Sequence, residues 1–136
     1  MTKQEIADLL ESRGIMATAQ RVEIAQIMLS KKQHLSADQV LAEARCGGSS
    51  VSKATIYNTL GLFASKGLIR QVIVDPAKIF YDSNTVPHYH FYHVDSGELS
   101  DIEHGHLPIE HLPRLPHGTV VDGVDVVVRI KDCDTL

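Results

Sequence analysis

The chain has 136 residues and a net charge of −4, and 43% of its residues are hydrophobic. This length allows one compact domain or two small ones with a real core. No apolar run reaches the ~20 residues of a membrane span, and the first residues lack the apolar centre of a signal peptide, so a cytoplasmic protein is expected. The two cysteines form no C-x-x-C motif, which argues against a thiolate zinc site or a disulfide framework.

Charge is distributed unevenly along the chain. Residues 1–81 contain ten Lys and Arg against seven Asp and Glu, whereas residues 82–136 contain three against ten. Seven of the eight histidines also lie in this second, acidic part. The weakly basic first part suits a polyanion such as nucleic acid, and the acidic, histidine-rich second part suits cations.

Four helices are predicted in the first part, each opened by a residue that can cap a helix. The first and third caps are followed three residues later by Glu or Gln, which completes a capping box. Gly14 and Gly67 end the first and fourth helices, and the second runs to about Lys31. The capping residues are Thr2, Thr18, Ser36 and Ser52, and the predicted inward stripe of the second helix is Val22, Ala25, Met28 and Leu29.

The fourth predicted helix has two different faces. Ile56, Leu60 and Phe63 fall within a narrow arc, so they are predicted to be buried. The opposite face contains Asn58 and Gly61 among other small or hydrogen-bonding residues. A glycine in mid-helix costs about 1 kcal/mol relative to alanine. Close approach to a DNA groove would favour such a bare surface, and an ordinary solvated face is the alternative.

Two β-rich runs follow this helix, at 69–74 and 79–81, around a turn that contains Pro76. Helices followed at once by a hairpin are the order of a winged helix-turn-helix, in which the last helix enters the major groove. The fold class is therefore predicted to be α+β, with an N-terminal winged helix-turn-helix domain and a small α/β dimerisation domain behind it. We predict domain bounds of 1–82 and 88–136, with a hinge at 83–87.

In the second part of the chain, the hydrophobic residues recur with a period of about two. Strands are predicted at 88–94 and 98–103, a helical fragment at 109–112 between prolines, and a strand at 120–130. A long strand that is exposed at the edge of a sheet can pair with a strand of another chain. We therefore expect an isologous homodimer, because a groove-reading helix usually works in pairs on a palindrome.

The segment His88-Tyr89-His90 is a candidate metal site. Residues i and i+2 of a strand share a face, so His88 and His90 project together. Asp82 lies just before this strand and Asp101 on the next one, within folding distance of the pair. Such nitrogen and oxygen ligands suit Fe²⁺, Mn²⁺ or Zn²⁺ rather than Cu⁺. The alternative is that these are surface histidines on a polar strand face.

The ordered motifs SADQVLAEA, SKATIYNTLGLFASKGLIRQ, IFYDSN, HYHFY and VDVVVRIK resemble the ferric-uptake-regulator (Fur) family of bacterial metal-dependent transcription regulators. The resemblance covers essentially the whole chain and is greatest for the iron-response (Irr) and peroxide-sensing (PerR) branches. It implies control of iron and haem homeostasis or of peroxide-stress genes, commonly as a repressor, with double-stranded DNA carrying a palindromic operator as the partner.

The resemblance also implies one divalent regulatory metal per subunit, held between the domains. Carried over by position, its ligands are His34, Asp82, His88, His90 and Asp101. Its DNA contacts are Arg21, Lys53, Thr55, Tyr57 and Asn58, with Tyr57 and Asn58 on base edges. His34 and His88 are the candidates for oxidation in a peroxide-sensing member.

Departures from the family pattern carry expectations of their own. His93 and Ser96 stand where many relatives have C-x-x-C, so the structural Cys₄ zinc is predicted to be missing. Haem is a further possible ligand, but the Cys-Pro haem motif of some iron-response members is absent.

Two other classes of function remain as alternatives. One is a metal-storage or metal-transfer protein that uses the same His/Asp cluster without operator recognition. The other is a metalloenzyme, although the sequence has no G-x-S-x-G, P-loop, H-E-x-x-H or G-x-G-x-x-G motif and no evident second catalytic group. We therefore expect that the protein is not an enzyme.

Overall fold

The structure is a computed structural model that describes residues 1–86, 88–102 and 112–133. The chain divides into two compact units, Met1–Thr85 and Val86–Leu136. This division falls inside the segment 83–87 that the sequence indicates as a hinge. None of the helices in the described residues has the length and apolarity that a membrane crossing requires.

The first unit contains four helices and three short strands. All four predicted caps are confirmed: each side chain accepts a hydrogen bond from a backbone N–H of the first helical turn, and the first and third form complete capping boxes. In chain order the elements are α1 (Lys3–Ser12), α2 (Ala19–Leu29), β1 (His34–Ser36), α3 (Ala37–Cys46), α4 (Lys53–Ser65), β2 (Arg70–Asp75) and β3 (Lys78–Asp82).

The core of this unit is formed by apolar side chains from all four helices. The predicted inner face of α4 is confirmed, because Ile56, Leu60 and Phe63 are fully buried. The predicted stripe of α2 is partly wrong. Its buried residues are Ile24, Ala25 and Met28, while Val22 and Leu29 are only partly buried against the core. Spacings of three and four both return to the same helix face, so the sequence did not show which of two adjacent stripes turns inward.

A three-stranded antiparallel sheet lies beside these helices in the order β1-β3-β2. Strands β2 and β3 form the predicted hairpin, and its turn is closed by the Asp75 carboxylate, which accepts a hydrogen bond from the Ala77 N–H at 2.7 Å. Helix α4 followed directly by this hairpin is the winged helix-turn-helix arrangement, which confirms the predicted fold class. Strand β1 was not expected.

The second unit contains a three-stranded sheet formed by β4 (His90–His93), β5 (Leu99–Asp101) and β6 (Val127–Ile130) in the order β5-β4-β6. Strand β4 pairs antiparallel with β5 and parallel with β6. Two strand predictions need correction here. Strand β4 begins at His90, so His88 precedes it. The strand expected at 120–130 covers only its last four residues.

The shorter β6 has a physical reason in its composition. Asp122, Gly123 and Asp125 are residue types that strands disfavour, and residues 120–125 are exposed. The hairpin predicted in this unit is present, and its turn is closed by the Gly97 N–H, which donates to the His93 carbonyl at 2.8 Å. The helical fragment predicted at 109–112 lies outside the described residues, apart from Leu112.

Candidate functional site

Three of the predicted metal ligands converge within the second unit. The register places His90, the first residue of β4, opposite Asp101, the last residue of β5. The carboxylate Oδ1 of Asp101 lies 3.4 Å from the Nε2 atom of His88 and 3.4 Å from the Nε2 atom of His90. The two imidazole rings are 4.5 Å apart, centre to centre, and are tilted by 59°. The first residue of β4 and the residue two places before it therefore aim two imidazole nitrogens at one carboxylate of β5.

The hydrogen bonding of His88 indicates which of its ring nitrogens is free of a proton in the neutral ring. Its Nδ1 atom lies 2.6 Å from the backbone carbonyl oxygen of Val86. A carbonyl oxygen only accepts, so Nδ1 carries a proton and donates it, and in the neutral ring Nε2 then has a lone pair. That lone pair faces the Asp101 oxygen, which is also an acceptor. A cation, either a proton or a metal ion, is needed to make this contact favourable.

The donor geometry fits a metal ion. Donors that bind one ion at about 2.1 Å lie roughly 3.0–3.4 Å apart in octahedral or tetrahedral geometry, and both observed nitrogen–oxygen separations are 3.4 Å. One ligand atom from each of the three residues lies within 4.8 Å of the others. A ligating histidine typically donates its other ring nitrogen to a carbonyl or carboxylate, as His88 does.

Burial differs among the three side chains. His90 is 2% exposed and the side chain of His88 is 13% exposed, whereas the side chain of Asp101 is 50% exposed. The histidines are therefore held in place by their surroundings, and the carboxylate is open to solvent. This combination gives an ion a rigid nitrogen pair and an entry path past Asp101.

The other two predicted ligands, His34 and Asp82, lie in the first unit on adjacent strands. His34 opens β1 and Asp82 ends β3, and the antiparallel register aligns them as direct partners. Directly opposed residues of an antiparallel pair project on the same face of the sheet. Asp82 is buried, and its Oδ1 atom accepts a hydrogen bond from the Asn84 N–H at 2.8 Å. The fold of this unit alone therefore brings an imidazole and a carboxylate to one sheet end.

Four of the predicted DNA contacts lie on α4. Lys53, Tyr57 and Asn58 are exposed and Thr55 is partly exposed. Lys53 opens the helix, where its Nζ atom lies 3.4 Å from the Asp38 carboxylate and 5.7 Å from the centre of the Tyr57 ring. The Thr55 hydroxyl lies 2.9 Å from that of Ser52. This surface is small, hydrogen-bonding and only lightly charged.

The fifth predicted contact, Arg21, lies in the first turn of α2. Its Nη1 atom donates to the Met16 carbonyl at 2.9 Å, which fixes the guanidinium near the start of the helix. A shallow surface depression separates this turn from α4 and is lined on the α4 side by Thr55, Asn58 and Thr59. All five predicted DNA-contact residues therefore belong to two helices of one compact unit.

A second tyrosine of this unit differs from the exposed Tyr57 in its surroundings. Tyr81 on β3 is buried, and burial raises the pKa of its hydroxyl, with a smaller contribution from the charge of Tyr57. The phenol of Tyr81 therefore stays protonated and keeps its hydrogen-bond donor.

Sequence reasoning missed several residues that position these groups. Asp38 forms an ion pair with Lys53, and the Val86 carbonyl orients His88. Gln33 and Ser83 hydrogen-bond to each other beside the ends of β1 and β3. The available signals were the strand pattern of β3 and the polar residue next to each predicted ligand. Neither signal shows that Gln33 pairs with Ser83, which lies 50 residues away.

The sequence is similar to those of known proteins. Residues 12–115 match the Ferric uptake regulator family. A peroxide-responsive repressor (PerR) of Staphylococcus aureus strain Mu50 is 30% identical over 113 residues, which cover 82% of this chain and 76% of that protein.

Two solved structures with related folds are ferric uptake regulators. The structure from Pseudomonas aeruginosa with manganese has a TM-score of 0.68 and 22% sequence identity, and the alignment covers 97% of this chain and 98% of that one. The structure from Francisella tularensis with iron has a TM-score of 0.68 and 23% identity, with 89% and 93% covered. These likenesses support the fold described above.

Proposed function

The chain belongs to the ferric uptake regulator family of metal-dependent, DNA-binding transcription regulators, and we propose that it is a homodimer that binds a palindromic operator when a divalent metal is present. We place its action in the cytoplasm, where bacterial DNA lies. Residues 1–82 act as the DNA-reading domain, 83–87 as a hinge, and 88–136 as the domain that dimerises and senses metal. The His/Asp cluster acts as a binding site, without catalytic turnover.

The observation that carries this proposal is the convergence of His88, His90 and Asp101. The Nε2 atoms of both histidines lie 3.4 Å from the Asp101 carboxylate, which is the donor spacing of a single ion. A bound Fe²⁺, Mn²⁺ or Zn²⁺ would supply the positive charge that the facing lone pairs need. The manganese and iron in the two related structures support the same classes of metal.

We add His34 and Asp82 to this ligand set. They are register partners at one end of the β1-β3-β2 sheet, and only five residues separate Asp82 from His88 in the sequence. The chain between them spans at most about 20 Å when fully extended, which is compatible with ligands from both units on one ion. Occupancy then selects one arrangement of the two units, and ligand-dependent DNA binding follows from that selection.

DNA recognition is assigned to the exposed face of α4. Tyr57 and Asn58 are the residues that read base edges, Arg21 and Lys53 contact the phosphate backbone, and Thr55 is a further DNA contact. The first unit is the more basic part of the chain, and its exposed face on α4 is free of acidic residues from Lys53 to Ser65. Two copies related by a two-fold axis would place two such helices on the halves of a palindrome.

The relatives named peroxide-responsive repressors support hydrogen peroxide as a signal, beside iron itself. His34 and His88 are the ligands proposed to be oxidised. Anaerobically purified, iron-loaded protein should therefore gain oxygen mass on peptides that contain these two residues after a peroxide pulse. If both peptides keep their mass while DNA binding still responds to iron, the signal is the metal rather than the oxidant.

The central test measures DNA binding of the full chain with and without metal. A duplex is first selected from a randomised pool with Mn²⁺-loaded protein, and its affinity is then measured after chelation and after Mn²⁺ is restored. We expect affinity to fall on chelation and to return with Mn²⁺. Binding that is indifferent to metal would refute the switch, and binding that does not weaken as salt rises would argue against operator recognition.

A further inference from the structure

Strands β1 and β3 are joined beyond their ladder by two residues with no assigned role, Gln33 and Ser83. Gln33 directly precedes His34, and Ser83 directly follows Asp82. The Ser83 N–H donates to the Gln33 carbonyl at 2.9 Å, and the Gln33 N–H donates to the Ser83 hydroxyl at 2.9 Å. This reciprocal pair lies one position beyond the His34–Asp82 register pair.

The Ser83 hydroxyl also closes the loop that leads into β1. Its oxygen accepts from the Gln33 N–H, and its proton is within reach of two carbonyl oxygens, that of Lys31 at 2.9 Å and that of Gln33 at 3.2 Å. An alanine at this position would leave the Gln33 N–H without its partner in a partly buried place. One hydroxyl therefore fixes the backbone on both sides of Gln33.

The Gln33 side chain extends the same connection to α2. Its Nε2 atom donates to the Ile27 carbonyl at 2.7 Å and to the Met28 carbonyl at 3.2 Å, and it lies 3.3 Å from the Ser30 hydroxyl. The last carbonyls of a helix have no partner within the helix, so Gln33 caps the C-terminal end of α2. The chain thus links the end of a DNA-proximal helix to the start of β1.

Strand β1 is short enough to need this support. It contains three residues, all only partly buried, and so short a strand has little apolar surface of its own to hold it in place. Its position depends on pairing with β3 and on the contacts at its start. His34 is its first residue, so any shift there moves the imidazole away from Asp82.

We propose that Gln33 and Ser83, which we call the clamp, are positioning residues that hold His34 and Asp82 in register as metal ligands and join them to the end of α2. This role rests on the ligand set in the proposed function. The clamp residues are neither ligands nor DNA contacts in this proposal. It fixes the spacing of the two ligands before an ion arrives, and it gives the ligands a continuous hydrogen-bonded connection to the helix-turn-helix.

The test compares Mn²⁺ affinity among variants of the full chain, measured by competition with a chelating fluorophore. Ser83→Ala removes the hydroxyl, and Ser83→Thr keeps it. Loss of a hydrogen-bond partner that orients a ligand typically costs about 10–100-fold in metal affinity, so we expect Ser83→Ala to lose about tenfold and Ser83→Thr to stay close to wild type. Gln33→Met, which keeps side-chain length without the donor, should weaken affinity in the same direction.

Ser12→Ala is the matched control. The Ser12 hydroxyl also donates to a backbone carbonyl, that of Leu9, at 2.6 Å in the same unit, but it lies on α1 away from β1. Its loss should leave Mn²⁺ affinity unchanged. The melting temperature of each metal-free variant is measured in parallel, because a purely structural contact would lower that temperature without changing the affinity of the folded protein.

Two results would overturn the proposal in different ways. If Ser83→Ala and Gln33→Met bind Mn²⁺ as wild type does while His88→Ala loses it, the metal site stands and the clamp has no positioning role. If His88→Ala itself keeps wild-type Mn²⁺ affinity, the ligand set of the proposed function is wrong and the clamp has no ligands to position. If Ser83→Ala fails to fold, Gln33→Met decides between these results.

Discussion

Gly61 offers a direct test of whether the outer face of α4 is shaped for DNA or is merely solvated. It lies in the interior of the helix, is exposed, and is not in the left-handed region of backbone conformation. A Cβ atom added there would have no neighbouring atom within 4 Å. The substitution Gly61→Ala therefore introduces no clash in the protein alone.

The expected gain in stability follows from helix propensity. Glycine is about 0.8–1.0 kcal/mol less favourable than alanine in a helix interior, and nothing in the structure offsets that difference. We expect Gly61→Ala to raise the free energy of unfolding by about 1 kcal/mol. For a unit of this size the melting temperature should rise by about 4–8 °C, measured by thermal denaturation followed with circular dichroism.

Gly14→Ala is the matched control with the opposite sign. A Cβ at Gly14 also meets nothing within 4 Å, but this glycine has a φ of +74°, where a residue with a Cβ is strained by roughly 1–2 kcal/mol. The two variants differ in backbone conformation rather than in space. If Gly61→Ala fails to stabilise while Gly14→Ala destabilises, the exposed, unstrained setting of Gly61 described above is wrong.

The functional reading is tested by a larger side chain at the same position. Like alanine, glutamine has a higher helix propensity than glycine. Gly61→Gln also adds side-chain length without charge. If α4 enters a groove with this face, the new side chain should reduce affinity for the selected duplex by at least tenfold while stability rises. Unchanged affinity would show that Gly61 faces solvent in the complex, and its presence would then need no explanation from DNA.

Three further predictions concern the ligands, the DNA contacts and the first helix. Asp101→Asn, which preserves shape and removes charge, should lower Mn²⁺ affinity by at least tenfold, because even loss of a ligand's hydrogen-bond partner costs about 10–100-fold; equilibrium dialysis showing wild-type affinity would remove Asp101 from the site. Lys53→Ala should reduce the slope of log affinity against log salt by about 0.9 if it neutralises one phosphate, and an unchanged slope would leave Lys53 without a phosphate contact. Thr2→Ala, which breaks the capping box with Glu5, should cost about 1 kcal/mol in urea unfolding. The pKa of Glu5 is lowered chiefly by the hydrogen bond that its carboxylate accepts from the Thr2 backbone N–H, which alanine retains. That contribution should be present above pH 4.5, be lost as pH falls, and be absent in Glu5→Ala, so an equal pH dependence of stability in wild type and Glu5→Ala would contradict this cause.

The local parts of the fold could be predicted because their causes are local. Each helix has a cap within three residues of its start, and α4 has three apolar residues at helical spacing. The failures occurred where the deciding contact is distant in sequence. Strand β1 has no pattern of its own, since its three residues are ordered by pairing with Phe80, Tyr81 and Asp82. The choice of Ile24 for the buried face of α2 likewise depends on how the helices pack.

The same distinction between local causes and contacts that are distant in sequence applies to the candidate site. The pair His88 and His90 could be proposed from spacing alone, and the strand register accounts for the approach of His90 to Asp101. The prediction that both histidines lie on one strand was wrong, because His88 lies before β4 and is held instead by the Val86 carbonyl. His34 could be proposed only through family resemblance, since nothing near it in sequence distinguishes a ligand from a loop histidine.

The geometry of β1 gives a physical reason why a ligand would lie there. A ligand on a long, well-packed strand would stay in place whether or not an ion were bound, and binding could then do little beyond occupying the site. Strand β1 contains only three residues, and the hydrogen bonds between Ser83 and Gln33 beside its start supply part of what holds it in place. If His34 is a ligand as proposed, an ion there would add a contact that holds β1 in place, and Gln33 would connect that contact to the end of α2.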